Sequence, residues 1–128
     1  MYTYVIIDDE PLIRRGTKKK LEPLSHLLTC CGEASDGREG LELVRQLKPD
    51  IVILDMQMPV MDGYQAARAI RQSSHPLAKT IPIIAMTADA FHEDIVKAGE
   101  AGMNGHLAKP IDPARLYQMI ESLSLIHI

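Results

Sequence analysis

Sulfur chemistry is nearly absent from this chain: its only cysteines, Cys30 and Cys31, are adjacent. Neighbouring cysteines would close a strained, improbably small ring, and with no other thiol present a structural disulfide framework is excluded. Neither cysteine has zinc-ligand spacing to a histidine pair. Buried free thiols on a strand are expected, which fits a reducing compartment. Long apolar runs are missing too, and the opening MYTYVIIDDE lacks the basic region of a secretory signal. The expectation is therefore a cytoplasmic protein with no membrane partner. Nor is there an excess of positive charge. The formal net charge of -3 supplies no electrostatic reason for binding nucleic acid. The one cationic cluster, Lys18, Lys19 and Lys20, is read as a solvated helix face. Internal linkers, low-complexity segments and repeats in register are lacking, so a second domain is not expected.

What is present is a chain of ordinary globular composition, 46% hydrophobic and 24% charged over 128 residues, enough for one domain with a real core. Short apolar runs alternate with longer amphipathic ones. Residues 4–7, 27–31, 51–54, 81–86 and 106–108 read as strands, the second stopping at Gly32. Between them Ile13, Thr17, Leu21 and Leu24 recur at helical spacing behind Pro11, and Asp36 is placed to cap a helix carrying Leu41, Val44 and Leu47 that Pro49 closes. Further helices are expected over residues 64–70, from Phe91 to the glycines Gly99, Gly102 and Gly105, and from Pro113 onward with Asp112 as its cap. Five strand–helix repeats demand an α/β fold, a parallel sheet with right-handed crossovers and helices on both faces. The domain is expected to span residues 1–123. The apolar ending SLSLIHI leaves residues 124–128 as a tail that extends the last helix, pairs with a partner, or is an artefact of the sequence.

The polar residues fall at the ends of the strands. In an open parallel sheet ligands bind beyond the carboxyl ends, beside the point where strand order reverses. The first strand runs into Asp8 and Asp9, the third into Asp55, the fourth into Thr87 and the fifth into Lys109. Taken singly, Asp8 and Asp9 read as a helix cap, Asp55 as a turn former, Thr87 as a β-branched strand end and Lys109 as a solvated charge. Their joint placement on one edge makes the set informative. Carboxylates crowded together suit a hard divalent cation such as Mg²⁺, and a lysine and a hydroxyl opposite would face the anion it brings. A carboxylate in such a setting can act as nucleophile toward a phosphoryl group. Asp55 is expected at the rim of the sheet, clear of hydrocarbon.

The stretches VIIDDEP, IVILDMQMPVMDG, IIAMTADAF and LAKPID, in this order and spacing, resemble response-regulator receiver domains, the phosphoacceptor half of two-component signalling. The resemblance runs to about Leu123. It implies a doubly wound (βα)5 flavodoxin-like fold, with a five-stranded parallel sheet in the order 2-1-3-4-5. Carried over by position, Asp55 is the phosphoacceptor, Asp8 and Asp9 the acidic pair for Mg²⁺, and the Gln57 backbone carbonyl a further ligand. Thr87 resembles the switch hydroxyl, Lys109 the phosphate-pairing lysine ahead of a cis Pro110. His106 stands where the family often has a rotating Tyr or Phe. Gln57, commonly Asn in the family, and Asp89 flank the path of an attacking water. The implied partners are a histidine kinase or histidine phosphotransfer domain, an output domain or downstream protein, and a second copy on phosphorylation. The first half resembles receivers joined to DNA-binding outputs, the second half those of hybrid sensor kinases.

The implied function is a switch that catalyses only its own phosphorylation and dephosphorylation, not a turnover enzyme. Two rivals stand beside it. A haloacid-dehalogenase-type phosphatase also forms an aspartyl-phosphate, but wants a second Asp where Gln57 stands and a cap domain for which there is no room. A phosphorylation-independent interaction module would not need the full set of site residues. Met56, Met58 and Met61 beside Asp55 are read as gap-filling core, and GEASDGREG lacks dinucleotide-binding spacing.

Overall fold

A computed structural model describes residues 2–55, 63–73, 81–87, 99–108 and 112–122. They form β1 (Tyr2–Ile7), α1 (Pro11–Lys20), β2 (Leu28–Ala34), α2 (Gly37–Leu47), β3 (Ile51–Asp55), α3 (Gly63–Arg71), β4 (Ile83–Thr87), β5 (Gly105–Ala108) and a last helix, Pro113–Ser122. The strands are all parallel, in the order β2-β1-β3-β4-β5. The chain moves outward from β1 to β2 and then returns across β1 to β3, so strand order reverses between β1 and β3. This is the flavodoxin-like order that the resemblance implied.

The continuous apolar strands follow from burial on two faces. Val5, Ile7, Val52, Leu54, Ile83 and Ala85 turn to one side, where Val44 of α2 and Ala66, Ala67 and Ile70 of α3 cover them. Tyr4, Ile6, Ile51, Ile53, Ile84 and Met86 turn to the other, under Leu21 at the end of α1 and Leu116 of the last helix. Each large aliphatic buried this way contributes about 1.5–3 kcal/mol relative to exposure, so the two cores dominate the stability. The α2 side is tightly packed: a Cβ on Gly40 would collide with Ile7 Cδ1. Helix ends fall where their capping residues placed them. Asp36 Oδ1 accepts from Glu39 N at 2.8 Å, and Asp112 Oδ1 accepts from Ala114 N at 3.0 Å. Lys48, at φ 48, closes α2 in the left-handed region just before Pro49.

The second strand departs from expectation. It does not stop at Gly32 but continues to Ala34, because β1 keeps pairing with it as far as Ile7. Tyr4 pairs with Cys30 and Val5 with Gly32, leaving Cys31 as an extra residue in the ladder. Such a bulge reverses which way the following side chains point. Cys30 therefore packs toward the α1 side and Cys31 toward the α2 side; Ala34 joins the α2 core and Glu33 faces α1. Both thiols are half-buried rather than buried, and desolvation raises the pKa of each. The lysine cluster is not wholly solvated either, since Lys18 Nζ lies 2.6 Å from Glu33 Oε2.

At the amino ends of β4 and β5 a second polar cluster has formed. The Arg71 guanidinium donates to Gly102 O through Nε at 3.0 Å, to Ile81 O at 2.6 Å and to Asn104 Oδ1 at 2.7 Å. Asn104 Oδ1 also accepts from Ile83 N at 2.9 Å, and the Asn104 backbone N–H donates to Ile83 O at 2.8 Å. Gly102 sits at φ 97, a conformation natural to glycine, and a Cβ there would press on Arg71 Cγ at 3.0 Å. The helix expected from Phe91 lies outside the described residues except at its end, Gly99 and Glu100. The tail after Ser122 also lies outside them.

Candidate functional site

The site is built by register. Ile7 pairs with Leu54 and Asp55 with Met86, so the residue after β1, Asp8, comes level with Asp55 at the end of β3. Asp8 and Asp9 begin the turn into α1. Carboxylate oxygens of Asp8, Asp9 and Asp55 all lie within 4.8 Å of one another, at the point where strand order reverses. Asp8 is 0% exposed and Asp55 3%, so Asp55 stands at the rim of the sheet but the strand end there is covered. Asp9 is the more accessible member of the set.

Local bonds hold the turn. Asp8 N donates to Ala34 O at 3.0 Å, and Asp8 Oδ1 accepts from Glu10 N at 3.0 Å. The latter bond is the Asp side chain closing its own turn two residues on. Helix α1 starts behind it with Pro11 in its first turn; its N-cap, Glu10, makes no side-chain capping bond. Asp8 thus shapes the turn without being the cap of α1.

Three crowded carboxylates, two of them buried, repel one another, and a cation among them would offset that repulsion. An all-oxygen donor set of this charge fits Mg²⁺ in ligand type. Of the other residues singled out in the sequence, Thr87 is described by its backbone, which pairs with Ala108 and so stands at the same edge one step beyond Asp55 and Met86. His106 lies half-buried on β5 opposite Ala85. Gln57, Lys109, Pro110, Asp89 and the methionines Met56, Met58 and Met61 lie outside the described residues. Residue-by-residue reading missed Arg14, whose Nη1 donates to the Asp8 carbonyl at 2.6 Å. Only the i, i+6 spacing and the bulge in β2 could have pointed to it, and the bulge is invisible before strands are paired.

Comparison with known proteins identifies the family. The model of the response regulator receiver domain matches residues 4–121. The nitrate/nitrite response regulator protein NarL of Escherichia coli K12 is 33% identical over 118 residues, 92% of this chain and 52% of NarL. The chain thus spans about half the length of that relative. A LuxR-family two-component response regulator from Aurantimonas superposes with a TM-score of 0.86 at 33% identity, covering 97% of this chain and 86% of that one. The receiver domain of a Pseudomonas aeruginosa sensor histidine kinase, solved with a magnesium ion coordinated in its active-site cleft, superposes with a TM-score of 0.82 at 28% identity, covering 96% and 98%. The chain belongs to the response regulator receiver domain family of two-component signalling. Members of this family are signalling domains rather than turnover enzymes, regulated by histidine kinases and joined to outputs such as the LuxR type. Among the described residues no helix is long and apolar enough to cross a membrane.

Proposed function

We propose that this receiver domain accepts a phosphoryl group on Asp55 in a magnesium-dependent reaction, and that the modified state alters a protein-binding face. The observation that carries the reading is the meeting of Asp8, Asp9 and Asp55 within 4.8 Å where strand order reverses. These three carboxylates would hold the ion, with the Gln57 carbonyl as a further ligand. When bound, magnesium supplies positive charge beside the phosphoryl oxygens. The magnesium in the cleft of the related Pseudomonas receiver supports that choice of ion.

The chain's own residues do the rest. An Asp55 carboxylate oxygen forms a bond to phosphorus as the P–N bond of a donor phosphohistidine breaks, its electron pair leaving with the imidazole. Phosphoryl transfer asks chiefly for positioning and charge balance, for which Lys109 would pair with the phosphoryl oxygens and Thr87 would donate a hydrogen bond. The donor is a histidine kinase or a histidine phosphotransfer domain. Hydrolysis would return Asp55 to its free state, with Gln57 and Asp89 beside the water's path. Retention of the group would bias a two-state equilibrium, read out through Thr87 and His106 at the face formed by β5, the helix before it and the last helix. An output domain, a downstream protein or a second copy would dock there. The working unit is residues 1–123, acting in the cytoplasm, with residues 124–128 as a tail outside it.

The test is intact mass after incubation with a small phosphodonor and Mg²⁺. The protein should gain the mass of one phosphoryl group and Asp55→Asn none. Equal modification of both would refute the assignment. Sustained turnover of a phosphomonoester would favour the phosphatase instead, and partner binding indifferent to Asp55→Ala would favour the phosphorylation-independent module.

A further inference from the structure

Asp8 is held at three points. Its amide donates to Ala34 O, its Oδ1 accepts from Glu10 N, and its carbonyl accepts from Arg14 Nη1 at 2.6 Å. The Arg14 side chain is only 17% exposed, and its Nε reaches Glu33 Oε1 at 3.4 Å. Glu33 is anchored in turn by Lys18 Nζ at 2.6 Å. Glu33 faces α1 only because the β2 bulge at Cys31 reverses the side-chain alternation beyond it. Edge strand, bulge, ion pair and guanidinium therefore form one continuous support behind the turn that carries Asp8 and Asp9.

Charge alone does not account for this placement. A cation near a divalent-metal site repels the metal, so Arg14 is electrostatically unfavourable for cation binding. Its planar fork, however, can grip the Asp8 carbonyl and Glu33 at once, which a point charge cannot do equally well. We infer that Arg14 is a positioning residue for the acidic site, fixing the turn after β1 so that Asp8 and Asp9 present their carboxylates together with Asp55. This rests on reading that cluster as the cation site.

The two influences have opposite signs, and a Mg²⁺ titration of the metal-free protein, followed by NMR shifts of the Asp8–Glu10 amides, separates them. Arg14→Gln removes the charge and the fork. Positioning predicts about tenfold weaker Mg²⁺ binding, the scale typical for groups that hold a metal ligand in place; charge alone predicts tighter binding. Arg14→Lys keeps the charge and loses the fork, and should bind Mg²⁺ more weakly than the unaltered protein. Urea unfolding of each variant confirms that the titrated species is folded, and should Arg14→Gln not fold, Arg14→Lys carries the test through weakened binding. Affinity unchanged or tighter in Arg14→Gln, or unchanged in Arg14→Lys, overturns the inference while leaving the cation site intact. Failure of the unaltered protein to bind Mg²⁺ overturns the site reading itself and this inference with it.

Discussion

The two ends of the sheet use charge in opposite ways. At the amino ends of β4 and β5, one guanidinium is surrounded by acceptors, with Arg71 donating to Gly102 O, Ile81 O and Asn104 Oδ1. At the carboxyl ends of β1 and β3, three carboxylates approach within 4.8 Å of one another. The first cluster is complementary within the chain and lowers the folding free energy. The second concentrates like charge. Partial burial lowers the Arg71 pKa by desolvation, yet an arginine stays charged and its donors are matched to carbonyls. One end is satisfied within the chain, while the other is where the proposed function would place a cation, at the strands' carboxyl edge.

That contrast can be broken at either end. The largest effect should come from Arg71→Ala, which leaves the Gly102 and Ile81 carbonyls and the Asn104 amide oxygen without their charged donor. A loss of about 3 kcal/mol in urea-derived unfolding free energy is expected, the upper range for hydrogen bonds to a charged group, with Mg²⁺ affinity unaltered. A matching drop in Mg²⁺ affinity would show that the two ends are coupled. A smaller effect of opposite sign is expected from Asp8→Asn. Its side-chain oxygen can still accept from Glu10 N, so the turn survives, and relief of repulsion should raise metal-free stability by about 1 kcal/mol. Mg²⁺ binding should weaken by at least about tenfold.

The smallest effect concerns Glu33. The Lys18 hydrogen bond, ahead of the Arg14 contact, lowers its pKa from the ordinary 4.5. A depressed carboxylate contributes stability above its unfolded pKa and loses it as pH falls through the folded value. The contribution is therefore intact at neutral pH and disappears below about 4.5. Because the carboxylate is 35% exposed, solvent screening limits it to under ~0.5 kcal/mol. Comparing the pH dependence of unfolding for the protein and Glu33→Gln should reveal a gap at pH 7 that closes toward pH 3. A gap that widens on acidification would contradict the ion pair.

The acidic edge was legible because each of its residues ends an apolar run, and a run of β-branched residues locates its own strand end. Asp36 and Asp112 were legible as caps for the same reason: the signal and its effect lie within three residues. Features that need a partner strand were not. The bulge at Cys31 exists only in the pairing of β1 with β2, and without it Glu33 would read as pointing away from α1. Arg71 and Asn104, 33 residues apart, meet only after β4 and β5 are adjacent. Covering of Asp55 likewise depends on the packed fold, which leaves a residue at the rim of the sheet only 3% exposed.

The central claim is that the three carboxylates are an unfavourable cluster completed by one divalent cation. Urea unfolding of the protein and of Asp55→Asn, each with and without Mg²⁺, tests it in four curves. Without Mg²⁺, Asp55→Asn should be the more stable, by about 1 kcal/mol, because repulsion is relieved. With Mg²⁺ at about a hundred times its dissociation constant, the unaltered protein should gain about 2.7 kcal/mol and overtake the variant. Curves that keep the same order in both conditions, or that Mg²⁺ shifts equally, would contradict the account.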